Sequence, residues 1–257
     1  MEVHHHASHK EHKKITDYLL EFFMLFLAVF LGFLAENLRE TNVEKAREKE
    51  YVASMVEDLV QDSVKIHDYL PFMQRLEKGL DTLVQQCYLY NNNSADTRLL
   101  YYGYHYYCRG WKDLKLYDKT LIQLKNSGSM RLIRPAIADT LAKLDEGIQF
   151  YNEQLERMLD AQKKTVDFGL NIFDYQEYEK ANTTNGKLDV HDEGFRSIGY
   201  KPLLIRHDSV MMKEFASRVG FFRNFVLTMI EIGHNAAPGI RHYIEFLQEH
   251  YHLKMNA

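Results

Sequence analysis

Cysteine, proline and tryptophan are all scarce: two Cys, four Pro and one Trp in 257 residues. Two cysteines, Cys87 and Cys108, are too few for a disulfide framework and lack the paired spacing of a zinc site. In an oxidising compartment they close a loop of about twenty residues, for about 3 kcal/mol; otherwise they stay unlinked. An excess of basic charge is also missing. Lys and Arg total 32 against 36 Asp and Glu, giving a net charge of -4 with both signs interleaved, which excludes the basic patch of a nucleic-acid interface. No glycine-rich phosphate loop, nucleophile elbow or His-Glu-x-x-His occurs. The reading is therefore a non-enzyme without a cofactor. Few prolines, 46% hydrophobic residues and a modest acidic excess describe an ordinary folded domain.

What is present begins with one long apolar run. From Phe22 to Ala35 no charged or strongly polar side chain occurs, although 26% of the whole chain is charged. Extended back through Tyr18, Leu19 and Leu20 to Ile15, the run reaches about 20 residues, which at about 1.5 Å each spans a hydrocarbon core of about 30 Å. A cleavable signal would want small residues where Phe33-Leu34-Ala35 stands. A core helix of a soluble domain would carry a polar stripe, and this segment is apolar all round. The run therefore reads as a membrane anchor over residues 15–38, with a cytoplasmic His-rich tail at 1–14 and an extracytoplasmic domain at 39–257. Lys and Arg counts flanking the anchor show no bias. The shortness of the tail favours an N-terminus left inside the cell and an exported C-terminal domain, periplasmic in a bacterial inner-membrane protein.

The expected fold is all-α: a transmembrane helix continuing into a long helix, followed by an antiparallel helical bundle. Glu36 to Glu50 is polar and free of Gly and Pro, so the anchor helix continues through it. Val52, Met55, Val56, Leu59, Val60 and Val64 recur at helical spacing, Pro71 marks a kink or restart, and Leu76, Leu80, Leu83 and Val84 resume the pattern. Glu57 and Asp58 are assigned to the charged face. Asp118 and Gly128 bracket a short helix as start and stop signals. From Pro135, a heptad seam runs through Ile137, Leu141, Leu144, Ile148, Tyr151, Leu155 and Met158. A second seam, Met211, Phe215, Val219, Phe222, Val226 and Met229, follows the cap residue Asp208 and should pair with the first. Gly233 and Pro238 suggest a break. Residues 180–202 read as the one long loop.

Three groups are candidate sites. Tyr101, Tyr104, His105 and Trp111 stand in an aromatic-rich stretch, read either as a ligand platform or membrane-interface belt, or as rings that plug one end of a bundle; the second is favoured. Asp189, His191, Asp192 and Glu193 share the long loop, and His4, His5 and His6 with His9 and His12 lie in the tail. Neither His-bearing group has the geometry of a specific metal site, so no metal is assigned. His242, His250 and His252 read as a solvated helix end.

Leu31-Gly32-Phe33-Leu34-Ala35-Glu36-Asn37, Arg47-Glu48-Lys49-Glu50-Tyr51 leading to Val56-Glu57-Asp58-Leu59-Val60-Gln61-Asp62, and the stretch Leu121 to Ile133 with its Lys125-Asn126-Ser127-Gly128 together resemble a Bacteroidetes family of single-pass membrane proteins. It is catalogued as domain-of-unknown-function family 6090. The resemblance covers most of residues 15–160 and leaves out the His-rich tail and the tyrosine cluster. It implies an inner-membrane anchor with an exported helical domain and implies no active site.

Two functions follow as expectations. The first is a membrane-anchored scaffold or accessory subunit that acts through protein–protein contact, as a homo-oligomer or with a membrane protein partner, beside the lipid bilayer and without nucleic acid. The second is an extracytoplasmic ligand-binding or sensory helical domain, with its pocket at Tyr101, Tyr104, His105 and Trp111.

Overall fold

Helix α1 (Ile15–Asn91) starts where the Asp17 carboxylate accepts the backbone N–H of Lys14 at 3.0 Å, a side chain reaching back to an orphan donor. The computed structural model describes residues 14–91, 96–110, 112, 115–184, 187–188, 194–206 and 208–253. The His-rich tail, Asn92 to Ser94, Trp111, and the loop residues Asp189, His191, Asp192 and Glu193 lie outside these. The chain divides into two compact units, Met1–Glu50 and Tyr51–Ala257. The sequence boundary after residue 38 thus falls inside the first unit, where Arg39 pairs with Glu36 and Thr41 bonds to Asn37 along the helix itself.

In the first unit the apolar side chains from Ile15 to Leu34 are exposed, Val29 at 73% and Phe33 at 67%. Each such side chain taken out of water is worth roughly 1.5–3 kcal/mol, so a lipid environment suits this surface. The segment is long and apolar enough to cross a membrane.

The second unit is built on heptads. Along α1, Val52, Met55, Leu59, Asp62, Ile66, Tyr69, Met73, Leu76, Leu80, Leu83 and Cys87 alternate by three and four, and all are buried. This phase differs from the expected one: Val60 and Val64 are exposed at 45% and 57%, because the true seam passes through Asp62. Helix α4 (Pro135–Gly169) buries all seven of its expected seam residues. Helix α7 (Ser209–Tyr251) starts on Asp208, whose Oδ1 accepts the Met211 N–H at 2.9 Å. Its seam begins at Met212, fully buried, rather than at Met211.

The α4 and α7 seams meet antiparallel, with Arg134 near His250 and Thr165 bonded to the Arg218 carbonyl. Helix α7 is also antiparallel to α1: the Tyr69 hydroxyl donates to the Met229 carbonyl, and Arg223 pairs with Glu77. Helices α1 and α4, by contrast, run parallel. Tyr69 faces Tyr151, while Leu59 lies level with Leu144, and Met73 with Met158.

Neither interior proline breaks its helix. α1 is continuous through Pro71 and α7 through Gly233 and Pro238. A proline removes one amide donor from the ladder, but buried residues on both sides, Tyr69 and Met73 in α1 and Gly233 and Ile240 in α7, hold each helix to the core. Gly233 has its own reason: a side chain there would collide with the Tyr69 hydroxyl.

The α1–α4 connection contains α2 (Thr97–Tyr102), a π-helical turn Gly103–Cys108, α3 (Lys119–Asn126) and a 3₁₀ turn Ser129–Leu132. Gly128, at φ 69°, ends α3 as expected. After α4 come α5 (Tyr175–Asn182), a two-residue hairpin pairing Thr183–Thr184 with Lys187–Leu188, and α6 (Gly194–Ser197). The 180–202 stretch is therefore not one irregular loop. Ile205 N–H donates to Ile172 O at 2.8 Å, and Phe173 bridges to Leu204; these bonds tie the segment to the end of α4.

Candidate functional site

The tyrosine cluster follows a capped start. Asp96 Oδ1 accepts the Arg98 N–H at 3.0 Å, and the Arg98 guanidinium folds back on the same carboxylate while donating to Ile198 O at 3.2 Å. The backbone then presses against α1 at Gly103, where a Cβ would meet the Leu83 side chain at 2.8 Å. The π turn shifts the helical phase, so that Tyr101, Tyr104, His105 and Cys108 are all buried.

Each ring has a fixed place. Tyr104 stacks on Phe173 at 4.4 Å, covers Gly169 and donates its hydroxyl to Val166 O at 2.9 Å. Tyr101 stacks on Phe195 at 4.9 Å; its hydroxyl donates to Leu203 O at 2.6 Å and accepts the Asp174 N–H at 2.8 Å. His105 lies on Tyr178 at 4.1 Å, and its Nδ1 faces Arg109 at 2.7 Å. Burial and the Arg109 charge push the His105 pKa down to about 3, so the ring is neutral. Since guanidinium only donates, Nδ1 is the acceptor and the proton is on Nε2. The second set, Tyr102, Tyr106 and Tyr107, packs ring on ring, with Tyr107 over Gly79. The three described residues of the candidate pocket, Tyr101, Tyr104 and His105, are buried in the core. The fourth, Trp111, is outside the described residues.

Cys87 and Cys108 are both buried free thiols. Burial pushes the Cys87 thiol up to about 12 and raises that of Cys108 as well, with the neighbouring Cys87 adding to the second shift. Thiols so protonated are poor nucleophiles. His250 Nδ1 faces the Phe246 carbonyl at 2.8 Å, and His252 closes α7 in a left-handed conformation. Among the described residues no three His, Cys, Asp or Glu side chains converge as metal ligands.

The group that sequence reasoning missed is on α1. Asp58 is 4% exposed and does not belong to the charged face. Its Oδ2 accepts both the hydroxyl and the N–H of Thr120, at 2.5 and 3.3 Å, and Lys119 lies 3.2 Å from Oδ1. Asp58 thus caps α3 from another helix, while Asp118 makes no side-chain cap bond. One turn on, Asp62 is fully buried. Its Oδ1 accepts the Tyr117 N–H at 2.8 Å, and its Oδ2 has no hydrogen-bond partner. Burial pushes the Asp62 pKa up to about 7, against the Tyr117 N–H and Lys65, with the Asp58 and Asp118 charges adding to the rise.

Asp62 lines a half-enclosed cavity of about 130 Å³ between α1, α4 and α7, whose other walls are mostly apolar. The signal was available in the sequence: Asp62 falls on the three-four alternation from Met55 and Leu59 to Ile66 and Tyr69, a core position of a heptad. Comparison of the chain with protein-family models, with curated proteins and with solved structures gives no match.

Proposed function

We propose that the chain is a single-pass inner-membrane protein, its N-terminus cytoplasmic and its helical domain periplasmic, that acts as a scaffold or accessory subunit through protein–protein contact. The observation that carries the reading is the all-round apolar and exposed surface of α1 from Ile15 to Leu34. A surface of that size is untenable in water and finds its complement in lipid. The resemblance to family 6090 points the same way. A contact surface is offered by the second unit, where Leu170, Leu203, Ile205 and Val210 are exposed at 56%, 79%, 55% and 74%. Leu170 follows the end of α4, Leu203 and Ile205 flank the Leu204 bridge to it, and Val210 opens α7. We prefer the scaffold to the sensory reading because Tyr101, Tyr104 and His105 pack on one another and on Phe173, Tyr178 and Phe195. No catalytic step is assigned.

Cross-linking of the full chain in native membranes, followed by alkaline carbonate extraction and mass spectrometry, tests the proposal. The protein should stay in the pellet and yield a self-oligomer or one recurrent partner, with cross-links at Lys201 or Lys213 beside the exposed patch. Release into the supernatant would remove the anchor, and a strictly monomeric, partnerless protein would remove the scaffold.

A further inference from the structure

Glycines of α1, the π turn, α4 and α7 in the second unit fall into two groups. Gly79, Gly103, Gly169 and Gly233 are each covered closely by a tyrosine or leucine side chain, so a Cβ has no room. Gly147 on α4 and Gly220 and Gly239 on α7 differ: an added Cβ would meet nothing within 4 Å at any of the three. Helical glycine is destabilising relative to alanine, and no clash requires it here. Of these, Gly147 and Gly239 line the same cavity as Asp62 and add no side chain to fill it.

We propose that this cavity is a binding site for a small primary organic ammonium, with the ligand's cationic head on Asp62 and a compact apolar body between α4 and α7. Three features of the site select that chemistry. The Asp62 carboxylate is fully buried and offers one oxygen without a partner, and a buried carboxylate is satisfied best by a charge-assisted donor. The walls beside it are apolar, with Leu59, Leu144 and Ile148 among them, so the rest of the ligand must be apolar too. The volume of about 130 Å³ approaches that of cavities which hold a single benzene ring, and this bounds the body to about one ring or a short alkyl chain. Lys143 stands at the mouth, and its positive charge disfavours a second cationic group, so a monocation fits. The inference does not depend on which compartment holds the domain or on its having a protein partner.

Benzylamine is the probe, with benzyl alcohol and toluene as equally sized neutral comparators. Thermal unfolding of the full chain in nonionic detergent, followed by circular dichroism, should show a saturable rise in Tm with benzylamine. The alcohol and the hydrocarbon should act at least tenfold more weakly. Asp62→Asn keeps an acceptor for the Tyr117 N–H and should abolish the response. Gly147→Leu closes the mouth from the solvent side without touching the carboxylate, and should abolish it as well even if the Asn variant folds poorly. Absence of a saturable shift in the unmodified protein would overturn the proposal. So would an equal response to toluene, or a benzylamine response that survives both substitutions.

Discussion

Asp62→Asn separates the charge of this buried carboxylate from its shape. The folded protein holds the Asp62 proton up to about pH 7, against an ordinary value of 3.8. For an acid whose pKa is raised on folding, the native state binds more protons than the unfolded chain between those two values. Stability therefore falls as pH rises through that window and is level above it. At about 1.4 kcal/mol per pH unit, the ceiling is about 4 kcal/mol. Relaxation of the surroundings raises the effective dielectric above that of a dry interior and reduces the loss to about 2 kcal/mol. Asparagine retains the oxygen that accepts the Tyr117 N–H and does not titrate.

The variant should gain on the original protein by about 2 kcal/mol between pH 4.5 and pH 8, or about 4–8 °C in Tm for a domain of this size. Denaturant unfolding of both proteins at both pH values measures the difference of differences. Asp58, Lys65, Asp118, Lys119, Lys143, Tyr151 and Tyr243 surround the site from α1, the α3 approach, α4 and α7. They are common to both proteins, so their contributions cancel to first order. An equal stability difference at the two pH values would refute the reasoning.

The two kinds of glycine predict opposite signs. Gly233→Ala, which drives a methyl group into the Tyr69 hydroxyl, should destabilise by about 1–3 kcal/mol, whereas Gly147→Ala should stabilise by about 0.5–1 kcal/mol; denaturant midpoints distinguish them. Tyr101→Phe strands the Leu203 carbonyl and the Asp174 N–H that its hydroxyl serves. It should cost about 1–3 kcal/mol and speed amide exchange at Asp174 ahead of the α4 seam.

The seams of α4 and α7 were legible because they are apolar at nearly every turn, so hydrophobicity alone fixes their phase. On α1 the same rule misled. Val56, Val60 and Val64 form a stripe four residues apart that competes with the true one, and only Asp62 breaks the latter. A charged residue at a core position argues against its own face in any hydrophobicity count, and that is also the reason it carries chemical information. The proline and glycine signals failed for another reason. Local propensity puts a break at Pro71, Gly233 and Pro238, yet a few kcal/mol of local preference yields to a seam buried over many turns. The cap at α3 could not be read locally either, because Asp58 arrives from a helix about sixty residues earlier, while Asp118 stood where a cap is expected.

The parallel course of α1 and α4 follows from the tyrosine-rich connection. Parallel helices require a crossing segment that returns the chain along the bundle, and successive contacts trace this return. Gly103 faces Leu83, Tyr107 covers Gly79, Lys112 donates to Asp68 O, Tyr117 reaches Asp62, and Thr120 reaches Asp58. From Leu83 back to Asp58 the helix rises about 38 Å at about 1.5 Å per residue. The connection covers this between Gly103 and Thr120, at about 2.2 Å per residue, between the rise of an α-helix and that of a strand. The π turn Gly103–Cys108 uses little of that length, and Leu116 and Tyr117, just ahead of α3, belong to no helix. Their backbone then lacks helical partners, and α1 supplies one of them, since the Tyr117 N–H is satisfied by Asp62. The heptad position that looks wrong for a core is therefore the one that lets the non-helical Tyr117 lie against a helix. That duty occupies only one carboxylate oxygen, and the other has no hydrogen-bond partner.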